Sequence, residues 1–100
     1  MILVAELVEK EKQRIEYMIL EYENRLNELP KGSITENHNG EKTYYYLKYR
    51  EGKKVVSQYI SHDDIENVQS GINERKHIES MIKALKDELK FANKALGVKV

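Results

Sequence analysis

The stretch that decides the fold is Lys42–Ser61, KTYYYLKYREGKKVVSQYIS. Its tyrosines and β-branched residues favour strand. Its Glu51-Gly52 pair breaks the run where a hairpin would turn. Just upstream, Asn39-Gly40 is the strongest two-residue hairpin signal in the chain, since both central positions of a type I′ turn need positive φ. Three short strands are therefore expected, near residues 33–38, 41–50 and 53–60, as an antiparallel meander.

Two-residue turns set register. With Asn39-Gly40 central, His38 opposes Glu41, Glu36 opposes Thr43 and Ile34 opposes Tyr45. With Glu51-Gly52 central, Arg50 opposes Lys53, Lys48 opposes Val55, Tyr46 opposes Ser57 and Tyr44 opposes Tyr59. Opposed residues share a face and successive residues swap faces. One face then holds Ile34, Tyr45, Leu47, Tyr49, Val56 and Ile60, suited to packing on helices. The other holds Thr35, Lys42, Tyr44, Tyr46, Lys48, Arg50, Lys53, Val55, Ser57 and Tyr59. The second face has four cations, three tyrosines and no acid. Glu36 and Glu41 fall on the first face and Glu51 in the turn. The sorting hangs on both turns, and a one-residue slip at either is expected to scramble it.

Outward from the sheet, both flanks read as helices. In residues 2–29, Val4, Val8, Ile15, Ile19, Tyr22, Leu26 and Leu29 recur at steps of three and four. Pro30 disfavours helix at the residue before it, which places the end at Leu29. Residues 62–96 carry a second stripe of Ile65, Val68, Ile72, Ile78, Ile82, Leu85, Leu89, Ala92 and Leu96. Ser61 is expected as N-cap, with Asp64 in a capping-box position and Gly97 as C-cap. Gly71 is the weak spot of that helix. Neither stripe can bury itself alone. The expected architecture is one α+β domain over residues 1–100: helix, three-stranded meander, helix, with the terminal helices paired as an antiparallel, coiled-coil-like hairpin.

Composition bounds the chemistry. The 100 residues carry 17 basic and 17 acidic groups, no cysteine, no tryptophan and seven tyrosines. Without cysteine there is no disulfide, thiolate or cysteine-based zinc site. The apolar opening MILVA is too short for a signal-peptide core or a membrane span, and the lack of cysteine fits a cytoplasmic protein. The neutral whole hides a local excess of base in residues 31–61. No GxSxG, HExxH or phosphate-binding glycine loop is present. His62-Asp63-Asp64 reads as a helix start rather than a metal site, and neither His38 nor His77 has a ligating partner in sequence. The reading is therefore of a non-enzymatic chain with no cofactor and no metal.

The Tyr/Lys/Arg face suits a polyanion. Lys and Arg contact phosphates, tyrosines donate hydrogen bonds or stack on bases, and a small sheet enters a major groove. Candidate binding residues are Lys42, Tyr44, Tyr46, Lys48, Arg50, Lys53 and Tyr59. The partner read from them is nucleic acid, DNA ahead of RNA. The same residues suit a protein partner, since tyrosine and arginine anchor interfaces. A homodimer through the helices is a further option.

The runs LPKGSI (Leu29–Ile34), NG, YYYLKYREGKK (Tyr44–Lys54) and QYIS resemble a group of small bacterial and phage-associated domains of unknown function. Their pattern is helix, Leu-Pro-x-Gly-Ser, Tyr-rich hairpin, helix. Some of these domains carry cysteines in the first hairpin; this chain does not, so no metal role is implied there. The hairpin alone is similar to the amino ends of some transposases and to arm-site-binding domains of tyrosine integrases. That similarity implies DNA contact through Tyr44, Tyr46, Lys48, Arg50 and Lys53. It implies an accessory module of a mobile element, or alternatively a phage protein that inhibits a host defence system in the manner of an anti-CRISPR.

Overall fold

The computed structural model describes residues 2–97. Its elements run α1 (Ile2–Leu26), β1 (Ser33–Asn39), β2 (Lys42–Glu51), β3 (Lys54–Ile60) and α2 (Ile65–Ala95). The three strands form one antiparallel sheet in the order β1-β2-β3. The chain divides into two compact units. One is Leu29–Lys76, with the sheet and the first part of α2; the other joins the chain up to Glu28 with the chain from His77 onward.

In the sheet unit, Leu47, Ile60 and Ile72 are buried together. Ile34, Tyr45, Tyr49, Ile65 and Val68 pack around them. The face expected to meet a helix does so, and α2 supplies the cover. The link into β1 is held at two points. The Pro30 ring lies against α2 at Gly71, where an added Cβ would sit 2.7 Å from Pro30 Cδ. Arg75 Nη1 donates to the Leu29 carbonyl oxygen at 3.3 Å. Gly71 is thus no mere weak point: its missing side chain makes room for the proline, and α2 runs through it unbroken. Gly32, with φ of 112°, has no room for a side chain either, because a Cβ would overlap the Lys48 carbonyl.

In the helical unit, Ile15 and Ile19 of α1 are buried, as are Ile78, Ile82, Leu85 and Ala92 of α2. The helices pair antiparallel: Val8 and Ile15 share a groove with Ala92 and Ala95, while Leu26 lies near Glu79 and Ile82.

Four local expectations are corrected. First, α1 ends at Leu26, not Leu29. The Glu28 amide bonds back to the Arg25 carbonyl at 3.0 Å, so the chain leaves the helix through a tightened turn before Pro30 constrains it. Second, α2 starts at Ile65, not at residue 62. Asp64 is the cap, since its carbonyl accepts the first helical bond, from the Val68 amide at 2.9 Å. Ser61 instead donates its hydroxyl to Asp64 Oδ2 at 3.0 Å, and the Asp64 amide bonds to the Ser61 carbonyl at 3.0 Å. Gly97 does close the far end, with φ of 77° and its amide on the Lys94 carbonyl at 3.1 Å.

Third and fourth, both hairpin turns sit one residue later than expected. Asn39 pairs with Lys42, so Gly40-Glu41 is the turn; Glu51 pairs with Lys54, so Gly52-Lys53 is the other. Gly40 and Gly52 have φ of 66° and 63°, and no non-glycine residue has positive φ among the described residues. Glycine at the first central position with ordinary φ at the second is the type II′ pattern, which matches strand twist without forcing Asn39 or Glu51 into a left-handed conformation. The opposed pairs change accordingly: His38–Thr43, Glu36–Tyr45, Ile34–Leu47, Arg50–Val55, Lys48–Ser57 and Tyr46–Tyr59. The faces do not scramble. Moving a two-residue turn by one position shifts the partner by two, and a shift of two preserves the side on which every residue lies.

Candidate nucleic-acid interface on the outer sheet face

The uncovered face of the sheet is built by alternation. From β1 it takes Ser33, Thr35, Asn37 and Asn39; from β2, Lys42, Tyr44, Tyr46, Lys48 and Arg50; from β3, Val55, Ser57 and Tyr59. No strand position on this face is acidic. Glu36 and Glu51 lie on the covered face by register, and Glu41 is in a turn.

Three rings meet at its centre. Tyr59 lies edge-on to Tyr46, with centroids 5.8 Å apart, and tilted against Tyr44 at 6.5 Å. Tyr44 and Tyr46 are half-buried while Tyr59 is 53% exposed. The register brings Tyr46 directly opposite Tyr59, the pair geometry that stabilises aromatic contacts across strands. Thr35 Oγ1 donates to the Tyr46 carbonyl at 3.4 Å and helps hold β1 against β2. Beside the rings, Thr35, Asn37, Tyr46, Lys48 and Ser57 line a shallow hollow of about 290 Å³, with Glu36 at its edge.

Lys42, Lys48 and Arg50 are exposed. Among the described residues none of the three enters an ion pair or a side-chain hydrogen bond. Three other cations are engaged: Lys31 Nζ lies 6.0 Å from the Tyr49 ring centroid, Arg14 pairs with Glu11, and Arg25 Nη1 pairs with Glu28 at 2.9 Å. The face thus presents free positive charge around an aromatic centre.

Six of the seven residues singled out from sequence lie on this face. Lys53 does not: it is the second residue of the β2–β3 turn, at the rim. The sequence reading left out Asn37, which alternation along β1 would have included. It also gave no role to Val55, which is 64% exposed opposite Arg50. Among the described residues no three His, Asp or Glu gather in metal-binding fashion, and no helix is long and apolar enough to cross a membrane. His62 lies edge-on to the Tyr45 ring at 5.8 Å, and His38 Nδ1 is 3.1 Å from Thr43 Oγ1.

The class this defines is a helix–meander–helix α+β protein with a basic, tyrosine-rich sheet face. Residues 7–70 match the model of a domain of unknown function, DUF6788, and the chain belongs to that family. The matched stretch contains the whole sheet and both of its turns. No curated protein and no solved structure matches the chain.

Proposed function

We propose that this protein is a non-enzymatic nucleic-acid-binding module that grips phosphates with the outer face of its sheet. The observation that carries the reading is the set of three unpaired cations, Lys42, Lys48 and Arg50, around the Tyr44–Tyr46–Tyr59 cluster on a face without acidic strand positions. Lys42, Lys48 and Arg50 neutralise phosphates, with Lys53 reaching from the rim. The tyrosines hydrogen-bond the backbone or stack on exposed bases. Three strands about 4.8 Å apart span about 10 Å, which suits a major groove about 12 Å wide. DNA is the favoured partner on this geometry. The similarity of the hairpin to integrase arm-binding and transposase strands supports an accessory role in a mobile element.

The test is a titration of the full chain against labelled duplex and single-stranded DNA and RNA at low and moderate salt. The expected result is micromolar or tighter binding to duplex DNA that weakens steeply with salt and is lost in Lys48→Ala/Arg50→Ala. Binding that ignores salt would sink the reading, because phosphate contacts release counterions.

A second reading, a protein-binding module of the host-defence-inhibitor kind, draws on Val55. An exposed valine beside Arg50 and the tyrosines gives phosphates nothing but suits an apolar interface core. No nucleic-acid binding at low salt, with a partner captured by the wild type and lost in Val55→Asp, would establish that reading in its place.

A further inference from the structure

The first strand carries a side chain for which the fold has no use. Asparagine is depleted from strands. Asn39 has a local reason to be there, since it flanks the Gly40-Glu41 turn. Asn37 has no such reason: it lies within β1, opposite Tyr44. Both asparagines are exposed, and among the described residues neither side-chain amide has a hydrogen-bond partner. Residues of the opposite parity on the same strand are engaged. His38 Nδ1 is 3.1 Å from Thr43 Oγ1, and its Nε2 is 3.4 Å from Glu36 Oε2. The strand thus ties up its polar groups on one side and leaves whole amides on the other.

Asn37 lies on the outer face beside the cations of β2 and lines the shallow hollow of about 290 Å³ with Tyr46 and Lys48. Side-chain length divides the work on such a face. Lysine and arginine carry their charge on long flexible stems and reach aside to phosphates. An asparagine amide stays close to its strand and meets what lies directly against the sheet, which in a major groove is the base edges. The amide offers an acceptor oxygen and two N–H donors. Adenine presents the matching pair in that groove: N7 accepts and the N6 amino group donates. Guanine presents two acceptors, N7 and O6, which leaves the amide oxygen unmatched.

We propose that Asn37 is a base-reading residue: with the outer face in the major groove of duplex DNA, its amide pairs with one adenine, Nδ2 donating to N7 and Oδ1 accepting from N6. This rests on the phosphate-gripping reading of the same face and adds sequence selection to it. Lys42, Lys48 and Arg50 hold the duplex whatever its sequence. Asn37 favours the registers that bring adenine against β1. Phosphate contact and base contact then fall on different residues, so one is removable without the other.

The experiment is selection by the full chain from duplex DNA with a randomised core. It is followed by anisotropy titration of the selected duplex and of a copy whose preferred A·T pair is changed to G·C. The wild type should bind the selected duplex about tenfold more tightly than the G·C copy, and Asn37→Ala should discriminate less than about twofold. Asn37 is exposed, so the variant should keep the far-ultraviolet dichroism of the parent. It should also keep the parent's affinity for the unselected pool and its dependence on salt. Salt-sensitive binding with no base preference, or with a preference that Asn37→Ala leaves unchanged, would overturn this inference and leave the phosphate reading standing. No binding of any duplex at low salt would overturn both.

Discussion

The two compact units of this chain expose different large side chains. In the helical unit three pairs engage charged or polar side chains: Arg14 with Glu11, Arg25 with Glu28, and the Tyr17 hydroxyl with Glu21. The helices also leave Val4, Leu7, Leu20 and Phe91 exposed, with Tyr17. In the sheet unit Lys42, Lys48 and Arg50 stand free, and the exposed aromatic surface is tyrosine, which carries a hydroxyl. Bare carbon suits contact with protein; cations beside phenols suit contact with an anion. The lesson is that composition averaged over the chain, with its zero net charge, conceals a local sorting of side chains that register and burial make plain.

The contrast can be broken most forcefully through the backbone of the sheet unit. Gly32→Ala should cost about 3 kcal/mol or more, because it combines a positive φ with overlap on the Lys48 carbonyl. Denaturant melts would show it as a lower midpoint, and a change under about 1 kcal/mol would mean the Leu29–Ser33 link is not held as described. In the helical unit Ile15→Ala, which empties the most buried side chain there, should cost about 2–5 kcal/mol. It should leave nucleic-acid binding by the folded protein intact. Gly71→Ala is a milder test of the sheet unit. Alanine is the better helix former, yet its methyl meets the Pro30 ring. A net loss of about 1–2 kcal/mol is expected, and a gain would show that the proline gives way. Lys48→Ala/Arg50→Ala should do the reverse of Ile15→Ala, changing stability by less than about 0.5 kcal/mol while removing binding.

The smallest effect concerns pH. The hydrogen bond from Arg14, and its charge, hold the Glu11 carboxyl below its ordinary value of 4.5. A depressed carboxylate pKa stabilises the fold above the unfolded value. That contribution is lost as pH falls through the lower folded value. Stability should therefore be flat for this pair from neutrality down to about 4.5 and decline below it. Both groups are solvent-exposed, so the decline should be slight, and Glu11→Gln should flatten it.

Much of this was legible in the residues, for reasons that differ by element. The apolar stripes named the helix pair because a period of three and four survives errors of a turn at either end. The sorting of the sheet faces was legible because alternation has a period of two. The turns were placed one residue early and the opposed pairs were wrong, yet Tyr44, Tyr46, Lys48 and Arg50 still shared a face, since a register error of two restores the parity. What escaped was contact-dependent. Nothing in the sequence says that Gly71 receives Pro30, that Lys53 leaves the strand for the turn, or that Phe91 is left exposed. Those facts follow from which segments meet, and spacing along one segment does not report them.

The central claim, that the outer sheet face binds nucleic acid through its unpaired cations, is most directly tested by the salt dependence of duplex DNA affinity, read by fluorescence anisotropy. With three or four phosphates neutralised, the logarithm of the association constant should fall with the logarithm of salt at a slope of about −3. Lys48→Ala alone, which keeps enough contacts to bind, should reduce that slope by about one. A slope near zero, or one identical in the variant, would contradict the account.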